Sequence, residues 1–151
     1  MHIEDLEVQQ FLTYRLARTH LRLNAQAIRI LKRTTCLTLA QWRVIALLAG
    51  TECRNSSDIE RQIGMDKGQL SRTIRGLSEA GFVKFKTDVN DHRKSNLKLT
   101  PKAQKIYDQT LPLMRKRQSN LLANLDKNEI TSIYSALEKL EQAAQLSENE
   151  L

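Results

Sequence analysis

"DKGQLSRTIRGLSEAG", residues 66–81, decides the fold of this 151-residue chain. Asp66 is a preferred N-cap residue, and Gln69 stands three positions on, an Asp variant of the capping box. Leu70, Ile74 and Leu77 fall in one narrow arc of a helical wheel. Gly81 closes the run, where a left-handed residue ends a helix. The spacing therefore predicts a short helix over 67–80. Gly68, Ser71, Arg72, Arg75 and Glu79 lie on its other face, which turns small, polar and mostly cationic groups outward.

Working outward, the same start and stop signals recur. Ser57-Asp-Ile-Glu60 predicts a cap at Ser57 and a helix over 57–63, stopped by Gly64. Thr38-Leu-Ala-Gln41 predicts a helix over 38–49, stopped by Gly50. On the C-terminal side, Val83, Phe85 and Thr87 alternate with Lys84 and Lys86, and Leu97 and Leu99 flank Lys98. This period of two predicts an antiparallel hairpin around a polar, basic tip, "DVNDHRKSN". Thr100-Pro101 is a cap before a proline at the first helical position, opening a helix to about 124 that Pro112 should kink. An apolar stripe without Gly or Pro predicts helix over 5–33. Asp126-Lys-Asn-Glu129 caps a last helix carrying Ile130, Ile133, Tyr134, Leu137, Leu140 and Ala144 on one side.

Two short helices joined by a tight turn, the second with a polar outward face, form a helix-turn-helix, and the hairpin after it adds a wing. The second helix would enter a major groove by its N-terminal end. Gly68 allows close backbone approach, Ser71 can bond a base edge or a phosphate, and the helix N-terminus favours phosphate. Gln69 can pair with adenine, and Arg72 and Arg75 can each fork onto guanine or bind phosphate.

Here the chain resembles the MarR (multiple antibiotic resistance regulator) family. The resemblance rests on "SSDIERQIGMDKGQLSRTIRGLSEAGFV" and "DVNDHRKSNLKLTPKA", and on "LTLAQWRVIALLAG" before them. It covers roughly residues 36–105, and the outer helices only by length and placement. It implies a mainly α fold with a small β-hairpin wing, a winged helix-turn-helix over 36–100, and helical dimerisation regions at 1–35 and 101–151. It implies a cytoplasmic homodimer on palindromic DNA, usually a repressor. Ser57, Lys67, Gly68, Gln69, Ser71, Arg72 and Arg75 would face the duplex, with Arg93 and Lys94 in the wing. Asp91 would aim Arg93 into a minor groove, whose concentrated negative potential attracts arginine. Phe85 departs from the family, which often has a basic residue there, so Lys84 or Lys86 would have to supply that phosphate contact.

Charge agrees with this reading. The net charge is +7. Residues 54–105 hold twelve Lys and Arg against six Asp and Glu, a net of +6, so the other 99 residues total only +1. A concentration of this kind is the footprint expected for a polyanion partner. No apolar run approaches the roughly 20 residues that span a bilayer, and the acidic start is unlike a secretory signal.

Catalytic and metal constellations are absent from the pattern. His2, His20 and His92 are scattered, and with Cys36 and Cys53 they show no ligand spacing. Two cysteines flanking one helix suggest a reducing compartment and buried or inert thiols. No cofactor and no enzymatic activity are expected. The resemblance implies a pocket for a small aromatic or phenolic effector, to which Arg15, His20, Trp42 and Arg43 are candidate contributors. Two other functions use the same basic face: a helical module docking an acidic protein, and an architectural protein binding DNA without sequence preference.

Overall fold

The computed structural model describes residues 5–50, 55–87 and 95–145. A 3-10 turn, Val8–Gln10, precedes helix α1, Leu12–Thr34. Then follow α2, Leu39–Gly50, α3, Ser56–Ile63, and α4, Lys67–Glu79. A two-stranded antiparallel sheet pairs β1, Val83–Thr87, with β2, Ser95–Leu99, in the register Val83–Leu99, Phe85–Leu97 and Thr87–Ser95. Helices α5, Pro101–Leu122, and α6, Lys127–Ala143, complete the described chain. The chain divides into two compact units, 1–112 and 113–151.

The first unit is built around α2. Val44 and Ile45 of α2 are fully buried together with Ile59 of α3 and Leu77 of α4. Leu70 and Ile74 of α4, Val83 of β1 and Leu97 of β2 complete this core. Helix α2 packs against both α1 and α4, and Trp42 stacks on Tyr107 of α5 with ring centroids 5.8 Å apart. The exit of α4 is fastened to the start of α5. Thr100 donates its hydroxyl to the Gly81 carbonyl at 2.8 Å, and Lys102 donates to the Ala80 carbonyl at 2.9 Å. The same ammonium lies 4.6 Å from the centre of the Phe82 ring. These contacts tie the base of the wing to the helix before it.

Several local expectations are corrected. The cap of α3 is Asn55, not Ser57. The Asn55 side chain accepts from the Asp58 amide at 2.9 Å and donates to the Asp58 carboxylate at 2.7 Å, so Ser57 lies inside the first turn. Gly64 and Gly81 are left-handed, with φ of 65° and 72°, but Gly50 is simply the last residue of α2. The first helix starts at Leu12 rather than near residue 5. Gln10 accepts from the Glu7 amide at 2.9 Å, closing a separate turn, and Phe11 is extended at ψ 137°. Helix α5 runs through Pro112 over nearly the expected span, and the missing N–H of Pro112 leaves the Asp108 carbonyl without its helical donor. Cys36 is exposed rather than buried; Cys53 lies outside the described residues.

In the second unit, α6 opens with a complete capping box. Asp126 accepts from the Asn128 and Glu129 amides at 2.7 and 2.9 Å, and the Glu129 carboxylate accepts from the Asp126 amide at 2.8 Å. No residue of α6 is buried. Ile133, Tyr134, Leu137 and Leu140 remain exposed along it.

Candidate nucleic-acid interface

Helix α4 owes its placement to two local devices and one packed face. Asp66 accepts from the Gln69 amide at 2.8 Å, which fixes the first turn. At its other end the left-handed Gly81 turns the chain into β1. Leu70, Ile74 and Leu77, at most 5% exposed, point into the core. The opposite face is therefore held outward as a rigid surface. Gly68, Ser71, Arg72 and Arg75 are exposed on it, as the helical spacing predicts; Lys67 and Gln69 in the first turn and Ser57 of α3 are exposed as well.

The two arginines are not equivalent. Arg75 lies 4.0 Å from Glu79, one turn on, and both side chains are largely exposed. Such a pair contributes little to stability, but it gives Arg75 a competing anion. Arg72 has no ion-pair partner among the described residues. Its guanidinium lies beside Gly68: a Cβ there would be 3.6 Å from Arg72 Nη1 and 3.3 Å from Asp66 Oδ1. Gly68 thus leaves the helix N-terminus open on the side where Arg72 folds back.

Between α3, α4 and β1 lies a cleft of about 420 Å³ whose lining includes Ser57, Lys67, Ser71, Arg75 and Phe85. Phe85 is a residue whose position sequence reasoning did not foresee. It shares a strand face with buried Val83 and stands opposite buried Leu97, yet it is itself 56% exposed. The signal was present as an aromatic placed between two lysines. Asp91, Arg93 and Lys94, the expected wing residues, lie outside the described residues.

A second hollow, of about 490 Å³, lies between α1, α2 and α3. His20, Trp42 and Arg43 line it together with Ala46, Leu47, Gln62 and Ile63. Arg15 is not among its lining residues and is exposed on α1. Arg43 donates to Asn24 Oδ1 at 2.8 Å, which leaves the Asn24 amide nitrogen to donate to His20 Nε2, also at 2.8 Å. That order of bonds makes His20 Nε2 an acceptor and joins α1 to α2 across the mouth of the hollow. Trp42, 8% exposed and stacked on Tyr107, is mainly a packing residue. Among the described residues no cluster of His, Cys, Asp and Glu could hold a metal ion, and no helix is long and apolar enough to cross a membrane.

The MarR family model matches residues 37–94, which begin before α2 and end in the wing. A MarR/EmrR family transcriptional regulator from Acinetobacter sp. ADP1 superposes with a TM-score of 0.86 at 20% identity, covering 92% of this chain and 98% of that one. The MepR protein of S. aureus, solved as a DNA complex, gives 0.83 at 16% identity over 92% and 100%. The PcaV transcriptional regulator of Streptomyces coelicolor, solved with its natural ligand, gives 0.74 at 18% identity over 93% and 98%. The mainly helical fold with a two-stranded wing is thus common to all four chains.

Proposed function

We propose that the chain, whose residues 37–94 match the MarR family model, is a DNA-binding transcriptional regulator of that family and acts as a cytoplasmic homodimeric repressor of a palindromic operator. The observation that carries this reading is the outward face of α4. It is rigidly backed by buried Leu70, Ile74 and Leu77, and it presents Lys67, Gln69, Ser71, Arg72 and Arg75 to solvent. Arg72, which has no ion-pair partner among the described residues, is the strongest single base-reading candidate. The wing pair Asp91 and Arg93 would add a minor-groove contact. Dimerisation suits the apolar side chains that α1 and α6 each leave exposed, Phe11, Leu12 and Leu16 on one and Tyr134, Leu137 and Leu140 on the other. Two reading heads held about 34–36 Å apart meet successive major grooves.

Release by a small aromatic or phenolic anion is the regulatory part of the proposal. The hollow lined by His20, Trp42 and Arg43 supplies apolar wall, aromatic surface and one cation. Of the relatives above, PcaV was solved with a natural ligand.

The test is a titration of genomic and random duplexes with the protein and with its Arg72→Ala, Arg93→Ala double variant. A sequence-specific repressor gives a large ratio of specific to random affinity, and the double variant loses it while remaining folded. A ratio near unity would mark an architectural protein. No affinity for any duplex at low salt would leave an acidic protein as the partner of this face.

A further inference from the structure

Charge outside the reading head is far from neutral once it is divided by element. Residues 8–51 contain Arg15, Arg18, Arg22, Arg29, Lys32, Arg33 and Arg43 and not one Asp or Glu. Six of these seven cations lie on α1, and all six are exposed. At about 100° per residue, Arg15, Arg18, Arg22, Arg29 and Arg33 fall within roughly 60° of arc. Buried Ala27 and Leu31 lie nearly diametrically opposite. Along the axis the five arginines extend about 27 Å, in steps of roughly 5, 6, 11 and 6 Å. Among the described residues none of the six cations has an ion-pair partner.

We propose that this arginine stripe is a second, sequence-independent docking surface for duplex DNA. It would hold the phosphate backbone of a DNA segment other than the one contacted by α4. The inference rests on the DNA-binding reading of α4 and adds a second site to it.

Three features select this partner. A single-sign row with no interspersed acid complements a polyphosphate better than a protein surface of mixed charge. Five of the six cations are arginine, whose planar fork takes phosphate oxygens two at a time. The steps between them correspond to about one to three nucleotides, at ~3.4 Å of axis per nucleotide of one strand. Helix α2 packs against both α1 and α4. The stripe faces away from α1's packed side, and the reading face points away from that of α4. The two cationic surfaces are therefore outward on separate helices with α2 between them, which favours a second segment over the flank of the same site. The protein would bridge or condense DNA around its operator.

The test compares the full-length protein with the triple variant Arg18→Gln, Arg22→Gln, Arg29→Gln. These are exposed positions, where substitution leaves the fold intact. The tightest genomic fragment that the protein selects is immobilised, and capture of a second, labelled random duplex is measured against salt. The wild type captures the second duplex. The triple variant keeps its affinity for the immobilised fragment and loses capture by roughly tenfold or more, and the salt slope of the capture step falls by about 2.7, at ~0.9 per phosphate contact. Wild-type binding to one fragment with no capture of a second overturns the inference but not the operator reading, whereas no binding to any fragment overturns both. Sedimentation and vesicle flotation separate the other occupants, which the exposed Tyr14, Leu21 and Ile28 beside the stripe make worth testing. A change of oligomeric state in the variant would assign the stripe to a contact between copies. Wild-type binding to phosphatidylglycerol vesicles, lost in the variant without any DNA capture, would assign it to a membrane surface.

Discussion

Helices α1 and α4 both turn cations to solvent, and they do so by opposite means. Helix α4 is 13 residues long, capped by an aspartate side chain, and packed by three buried side chains. Its outward cations are interspersed with Gly68, Gln69 and Ser71. Helix α1 is 23 residues long, begins without a side-chain cap, and buries only Ala27 and Leu31. Its cations form an uninterrupted series of one sign. A short, over-determined helix holds a few groups at fixed positions, which is what discrimination between bases requires. A long helix with repeated arginines supplies attraction that no sequence alters. On the proposed roles, the contrast is between reading and holding, and both helices lie within residues 1–112.

The largest effect that tests this contrast is in packing. Leu77→Ala, at a fully buried position of α4, should cost about 3 kcal/mol in denaturant unfolding. Leu21→Ala, at a 67% exposed position of α1, should cost no more than about 0.5 kcal/mol. Equal losses would show that α1 is packed where it is drawn as free. Next comes recognition. Arg72→Ala should weaken binding to the selected genomic fragment by about 1–3 kcal/mol, and Arg22→Ala should leave that affinity within about twofold; fluorescence anisotropy with both variants decides it. A smaller effect concerns the cap: Asp66→Ala should lower stability by about 1 kcal/mol, because the Gln69 amide loses its acceptor. The smallest belongs to Glu79. Removing its charge with Glu79→Gln should change stability by less than about 0.5 kcal/mol, since the pair with Arg75 is exposed. It should also raise DNA affinity about two- to fivefold at low salt, with the gain screened away as salt rises.

The legible parts of the site were those whose causes are local. Asp66, the Leu70–Ile74–Leu77 spacing and Gly81 sit within one helix, so they specify its ends, its buried side and its exposed side before any other element is known. The wing strands were legible for the same reason, as alternation with a period of two. Asn55 and Ser57 are both good caps in sequence, and the choice between them depends on where Ile59 must fall to be buried. Phe85 reads as an inward strand residue by alternation, but it is exposed although Leu97 opposite it is buried, a difference between the two strands that alternation does not encode. The arginines of α1 were hidden by averaging: their charge was summed with acids elsewhere in the chain to give +1, and only the helix boundaries reveal an acid-free row.

The amino-acid sequence by itself determined the helices, the wing and the outward chemistry of α4, because caps, turns and hydrophobic period act over a few neighbouring residues. Tertiary structure decided what no short-range signal encodes. It set Trp42 against Tyr107, joined Arg43 through Asn24 to His20, and left Phe85 exposed. It also packed α2 against both α1 and α4, the two helices whose outward cations differ in arrangement. Those outcomes depend on which surfaces remain once the apolar faces have been buried together, and burial is a property of the whole packed unit rather than of any segment within it.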